Sequence, residues 1–145
     1  MRMPIAALLA LVAALGPAGC LQSSKDRYIA DYQPLNERLM KVNDRMVRTL
    51  NTSSSPGTLA RKLAPLSGQL TRLGRQLSDL DTPEDLRQES AALSRSLERT
   101  GRGVDRTATV ARRADRRALV DATRDLANGV NTVIRRSQRL AEAAG

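Results

Sequence analysis

Seven leucines between positions 59 and 80 recur at alternating intervals of four and three residues. They are Leu59, Leu63, Leu66, Leu70, Leu73, Leu77 and Leu80. This spacing places all of their side chains on one face of an α-helix, whereas a half-buried strand needs apolar residues at every second position. Such a helix is stable when its apolar face packs against other helices. The leucines therefore predict an all-α fold.

Similar stripes precede and follow this segment. The preceding stripe consists of Tyr28, Tyr32, Leu35, Leu39, Val42, Met46 and Leu50. The next consists of Leu86, Leu93, Leu97, Val104, Ala108 and Ala111, and the last of Leu119, Ala122, Leu126, Val130, Val133, Ser137 and Leu140. Together the stripes predict four amphipathic helices.

Turn residues indicate where these helices begin. In "NTSSSPG", Ser55 is expected to cap the second helix and Pro56 to take its first position. In "DLDTPEDLRQE", Thr82 is expected to cap the third helix, Pro83 to lie in its first turn, and Asp85 to reach back as in a capping box.

Pro65 lies within the leucine stripe without shifting its phase. Proline lacks the amide hydrogen that a helix interior uses. We therefore expect either a kink near residues 61 to 65 or a helix that restarts at Ala64.

The end of the third helix has two interpretations. Gly101 and Gly103 could break it, or it could turn at "ARRADRRA" with Asp115 as the cap of the fourth helix. The second gives four helices of nearly equal length and is preferred. The prediction is an up-down-up-down four-helix bundle over residues 26–145, with short loops.

Composition limits both the core and the chemistry. The chain has no Phe, Trp or His, and its only aromatic residues are Tyr28 and Tyr32, so the core must consist mainly of Leu, Ala and Val. About 125 residues remain after an N-terminal segment is removed, enough for one domain. Metal sites in helical bundles use histidine with glutamate, and covalent catalysis needs a nucleophile with a base. We predict no enzymatic activity, no metal and no cofactor.

Several carboxylates have helical spacing that could bring some of them together. We interpret them as helix caps, dipole complements or partners for nearby arginines rather than as a catalytic or metal pair. They are Glu84, Asp85, Glu89, Asp115, Asp121 and Asp125.

The N-terminus has the layout of a secretory signal. Met1 and Arg2 supply positive charge, Ile5–Leu15 is an apolar run of eleven residues, and small or helix-breaking residues lead to Cys20, the only cysteine. A spanning helix needs about 20 apolar residues, so an uncleaved membrane anchor is the weaker interpretation. An ordinary secreted protein with an incidental Cys20 is the other alternative.

Ala18, Gly19 and Cys20 resemble the lipobox of bacterial lipoproteins. The resemblance implies a signal peptide over residues 1–19, cleavage before Cys20 and a diacylglyceryl thioether on its sulfur. Residues 20–25 would then be a lipidated tether on the outer face of the cell membrane.

The whole mature chain resembles the small extracytoplasmic helical lipoproteins of high-GC Gram-positive bacteria. The likeness lies in the turn over residues 77–83 and in Asp115 before the last helix. It implies a helical hairpin pair at the cell envelope and carries no assigned activity.

The arginines of "ARRADRRA" are Arg112, Arg113, Arg116 and Arg117, in a chain of formal charge +9. Such a segment is either a solvated helix face or a docking site for an anionic wall polymer or an acidic protein. In an upright bundle it would lie about 37 Å from the lipidated end. Nucleic acid is not an expected partner, because the chain is exported and lacks aromatic residues for base stacking.

Two functions are compatible with this pattern. One is a membrane-anchored, non-catalytic interaction or adaptor module. The alternative is a small-molecule-binding or sensory bundle, with a ligand between helices near Ala108, Ala111, Ala122 and Gly129. The stripes leave the oligomeric state open, because helices of one chain and helices of two chains pack in the same way.

Overall fold

The computed structural model of the chain describes residues 23–145. These residues form four helices, α1 (Ser24–Thr52), α2 (Pro56–Ser78), α3 (Arg87–Arg112) and α4 (Arg116–Ala144), with a short 3-10 turn at Glu84–Leu86. No strand occurs within this range, and the all-α prediction is confirmed. Cys20 and the predicted signal peptide lie outside the described residues.

The first two helices begin at serine caps. Ser23 caps α1 through a capping box in which its hydroxyl accepts from the Asp26 amide at 3.1 Å. This box starts the helix two residues before the predicted boundary of the bundle. Ser55 accepts from the Thr58 amide at 3.3 Å, so the predicted cap of α2 is confirmed.

The predicted cap of the third helix is wrong. The Thr82 hydroxyl donates to the Leu80 carbonyl at 3.1 Å, and neither the 3-10 turn nor α3 has a side-chain cap. The extended cap position falls on Pro83, which has no side-chain acceptor. Asp85 therefore sits too early to close a capping box, and its carboxylate lies 3.9 Å from Lys25 Nζ instead.

The last turn follows the preferred interpretation. Helix α3 continues through Gly101 and Gly103, and Asp115 caps α4 by accepting from the Ala118 amide at 3.0 Å. Gly101 serves close packing, because a Cβ there would lie 3.0 Å from Thr71 Oγ1 on α2.

Helix α2 does not restart at Ala64. It runs unbroken through Pro65, whose side chain is exposed. On the solvent side, water can hydrogen-bond to the carbonyl that the missing amide leaves free. Pro34 occupies an exposed position within α1 in the same way.

One hydrophobic cluster joins all four helices. Nearly every residue of the four predicted stripes is buried in it, and Leu50, Leu80 and Leu119 near the stripe ends are only partly buried. Helix α1 packs against α2 and α4, and α3 packs against α2 and α4. The core is therefore built from the predicted apolar faces.

Candidate functional site

The four arginines of the predicted docking site lie at the connection between α3 and α4, which we call the tip. Arg112 ends α3, and the Arg113 amide donates to the Val110 carbonyl at 3.1 Å. Ala114 then adopts the left-handed conformation with φ of 55°, which reverses the chain before α4 starts at Arg116. A non-glycine residue rarely takes this conformation, since its Cβ crowds the following carbonyl.

All four tip arginines are exposed, namely Arg112, Arg113, Arg116 and Arg117. None of them is within ion-pair distance of a carboxylate in the described part of the chain. Asp115, the one acid between them, is occupied as the cap of α4. The tip is a concentrated and uncompensated positive surface.

The predicted carboxylate roles are largely confirmed. Asp115 is a cap, and three others lie near arginines: Asp121 3.6 Å from Arg124, Asp125 3.9 Å from Arg106, and Glu89 3.6 Å from Arg136. These pairs are mostly exposed and add little to stability. Among residues 23–145, no cluster of three or more potential ligands could hold a metal ion.

A buried polar cluster joins α1 to α4. Ser137 Oγ donates to Asn36 Oδ1 at 2.8 Å and lies 3.0 Å from the Tyr32 hydroxyl. Burial raises the pKa of Tyr32 above 10.0, against a smaller lowering effect of the Ser137 hydrogen bond. Burial also raises the pKa of Tyr28, whose ring stacks parallel to Tyr32 at 6.0 Å. Both phenols stay protonated at neutral pH and act as structural groups.

The residues predicted to leave room for a ligand divide into two sets. Ala122 and Gly129 line an open groove of about 520 Å³ between α3 and α4. Ala108 and Ala111 are buried in the core instead. A Cβ at Gly129 would lie 3.1 Å from Thr100 Oγ1, so this glycine permits close helix contact rather than forming an internal cavity.

A second basic surface was missed by the sequence analysis. Arg38, Lys41 and Arg45 of α1 and Arg72 of α2 line an open groove of about 330 Å³. We call it the α1–α2 groove. A detectable signal was the composition of α2, which contains no Asp or Glu in 23 residues. The clustered arginines of the C-terminal third drew attention away from it.

No helix within residues 23–145 is both long and apolar enough to cross a membrane. Comparisons of the chain with family models, with curated proteins and with solved structures found no match. The functional assignment therefore rests on the surfaces described above.

Proposed function

We propose that this protein is a membrane-anchored extracytoplasmic lipoprotein that acts as a non-catalytic adaptor at the cell envelope, with its tip docking an anionic partner. The observation that carries the proposal is the exposure of four arginines without a neighbouring carboxylate partner. Clustered charge of one sign attracts oppositely charged partners and raises their association rate. An anionic wall polymer or an acidic protein surface fits this chemistry.

Anchoring follows from Cys20, which precedes the cap of α1 by three residues. A diacylglyceryl group on its sulfur supplies two acyl chains, enough for stable attachment where one chain gives only reversible binding. So short a tether keeps the beginning of α1 close to the bilayer surface.

Contacts between neighbouring helices support the up-down-up-down order of the bundle. Thr107 Oγ1 donates to the Ala122 carbonyl at 3.2 Å, while the earlier residue Thr100 lies against the later residue Gly129. This reversed order is that of antiparallel helices. On α2, Gly74 lies against Ser94 of α3, whereas the backbone seven residues earlier, at position 67, lies against Gly101.

Charge at the opposite end of the bundle supports an outward-facing tip. The connection over residues 79–86 contains four acids and no basic residue, and the contact of Asp85 with Lys25 places it beside the start of α1. Anionic lipid headgroups would repel this acidic end. Helix α3, at 26 residues, separates it from the tip by about 39 Å, several times the screening length of about 8 Å at physiological salt.

Co-sedimentation of the purified full chain, held in nonionic detergent, with insoluble cell-wall material tests the proposal. The tip variant carries Arg112→Gln, Arg113→Gln, Arg116→Gln and Arg117→Gln. We expect the wild type to pellet at low salt and to be released as salt rises, because screening weakens exposed charge pairs. The tip variant should remain in the supernatant throughout, with unchanged helicity by circular dichroism.

A charge-matched control separates the tip from net charge. Arg27, Arg87, Arg95 and Arg139 are exposed and make no ion pair within residues 23–145. A control variant with all four changed to Gln loses the same charge and should still pellet. Equal pelleting of the tip variant and the wild type would exclude tip docking.

The groove between α3 and α4 favours a second candidate, a small-molecule-binding bundle. Its volume of about 520 Å³ is within the range of ligand pockets, and Thr100, Asp125 and Asn128 supply polar groups along it. A ligand that binds only the folded chain would raise the melting temperature.

A further inference from the structure

The α1–α2 groove differs from the tip in shape, because its cations line a concave surface rather than a turn. Arg38, Lys41 and Arg45 belong to α1, and Arg72 faces them from α2, with Gln69 and Gln76 also in the lining. Arg38 is oriented by two contacts, one from its Nε to the Pro34 carbonyl at 3.1 Å and one from its Nη1 to Gln76 Oε1 at 3.4 Å. The groove therefore has at least one positioned guanidinium.

No carboxylate lines this groove. Helix α2 has no acid, and Glu37 and Asp44 of α1 lie near the opposite side of their helix from Arg38 and Arg45, since successive residues are separated by about 100°. None of the four cations is within ion-pair distance of an acid among the described residues. The positive charge of the groove is left for an external anion.

The cations form a row rather than a point cluster. Residues 38, 41 and 45 lie at intervals of three and four along one side of α1 and span about 10 Å at 1.5 Å per residue. One phosphate group cannot reach all of them, whereas a chain of phosphates lying along the groove can. Arginine also binds phosphate oxygens through paired N–H donors, which a half-enclosed groove holds in place better than a flat surface.

We propose that the α1–α2 groove binds a linear phosphate polyanion along its length. The ligand lies against α1 and α2, with Arg38, Lys41, Arg45 and Arg72 neutralising successive phosphates and Gln69 available for a hydrogen bond. This proposal does not depend on docking by the tip, because the two surfaces share no residue. Each can therefore fail without the other.

Binding of long-chain inorganic polyphosphate to the purified full chain in nonionic detergent tests the groove. The groove variant carries Arg38→Gln, Lys41→Gln, Arg45→Gln and Arg72→Gln, and the tip and control variants defined above lose the same four charges. We expect the groove variant to lose affinity by about tenfold or more. The tip and control variants should change by less than about threefold.

The salt dependence supplies a second readout. Each neutralised phosphate of a polyanion contributes about 0.7 to 0.9 to the slope of log K against log salt concentration. Loss of four contacts should therefore flatten the slope by about 3 in the groove variant alone. A melting temperature close to that of the wild type would show that the exposed substitutions leave the fold intact.

Vesicles distinguish the sources of phosphate. Groove-dependent retention by phosphatidylglycerol vesicles, with none by phosphatidylcholine vesicles, identifies lipid headgroups as the physiological phosphates, and groove-dependent binding of polyphosphate alone identifies a free polyanion. Equal losses in the groove, tip and control variants would reduce the effect to net charge and overturn the proposal. Failure of the wild type to bind polyphosphate and both vesicles would also overturn it.

Discussion

At the scale of single residues, Asn43 is the least expected member of the core. It lies in α1 with only 3% of its surface exposed, and neither its amide oxygen nor its amide nitrogen has a hydrogen-bond partner. A buried polar group without a partner loses its bonds to water and gains nothing in return. The apolar stripe passes through the adjacent Val42, so the repeat alone gave no reason to expect burial at position 43.

Replacing Asn43 with Leu should stabilise the fold. The substitution removes two unpartnered polar atoms and adds apolar contact at nearly constant volume, so we expect the free energy of unfolding to rise by about 1–3 kcal/mol. Urea denaturation followed by circular dichroism measures this change.

Asn36 is the matched control, because its Oδ1 accepts from Ser137 Oγ at 2.8 Å. Asn36→Leu leaves that hydroxyl with one partner fewer and should lower stability by about 1 kcal/mol. A decrease in stability for both variants would show that Asn43 is satisfied in solution, for example by a bound water molecule.

At the scale of helices, the pairing of α2 with α3 depends on glycine. A Cβ built at Gly74 would lie 3.2 Å from the Ser94 carbonyl oxygen and 3.2 Å from Glu98 Cγ. The Gly74 carbonyl itself accepts from the hydroxyls of Ser94 at 2.9 Å and Ser78 at 3.0 Å. The helices approach closely here because no side chain separates them.

Two alanine substitutions in α2 should differ in sign. Gly68→Ala meets only the tip of the flexible Arg72 side chain at 3.8 Å, so it should gain the helix propensity of alanine, about 0.5–1 kcal/mol. Gly74→Ala gains the same propensity but presses against a helix backbone, and overpacking of this kind costs about 1–3 kcal/mol. We expect a net loss of stability, measured by thermal and urea unfolding. Equal stabilisation by both substitutions would mean that α2 and α3 can separate without cost.

Helix boundaries show how far local sequence predicts these elements. The caps at Ser55 and Asp115 were predicted correctly, because each has an acceptor side chain followed by a free amide three residues later. Thr82 failed because Pro83 takes the extended cap position in its place. Gly101 and Gly103 carry an ambiguous signal, since glycine ends some helices and permits close packing in others.

At the scale of the whole molecule, charge is unevenly distributed. The connection over residues 79–86 holds four acids and no cation, whereas residues 112–117 hold four arginines and one acid. Residues 23–145 contain 23 basic and 15 acidic side chains, and the four ion pairs among them are 3.6–3.9 Å long and mostly exposed. Repulsion between like charges therefore outweighs the attraction within these pairs.

Added salt should stabilise the folded chain. Screening reduces the dominant repulsion, so raising the ionic strength from about 0.01 M to about 0.3 M should increase the melting temperature by a few degrees, equivalent to roughly 1 kcal/mol. The tip variant, with four fewer positive charges, should show a smaller increase. A melting temperature that falls with salt would show that the ion pairs dominate. Calorimetry in sodium chloride measures both chains.

The sequence by itself determined the helical class, the four apolar faces and most of the turns. These features depend on the 3.6-residue period and on interactions within a few positions of the chain, which can be recognised without knowledge of the fold. Only the tertiary structure decided which cations share a groove, which glycines are contact points and that Asn43 is buried. Arg45 and Arg72 are 27 positions apart in the chain, and helix packing alone brings them to one surface.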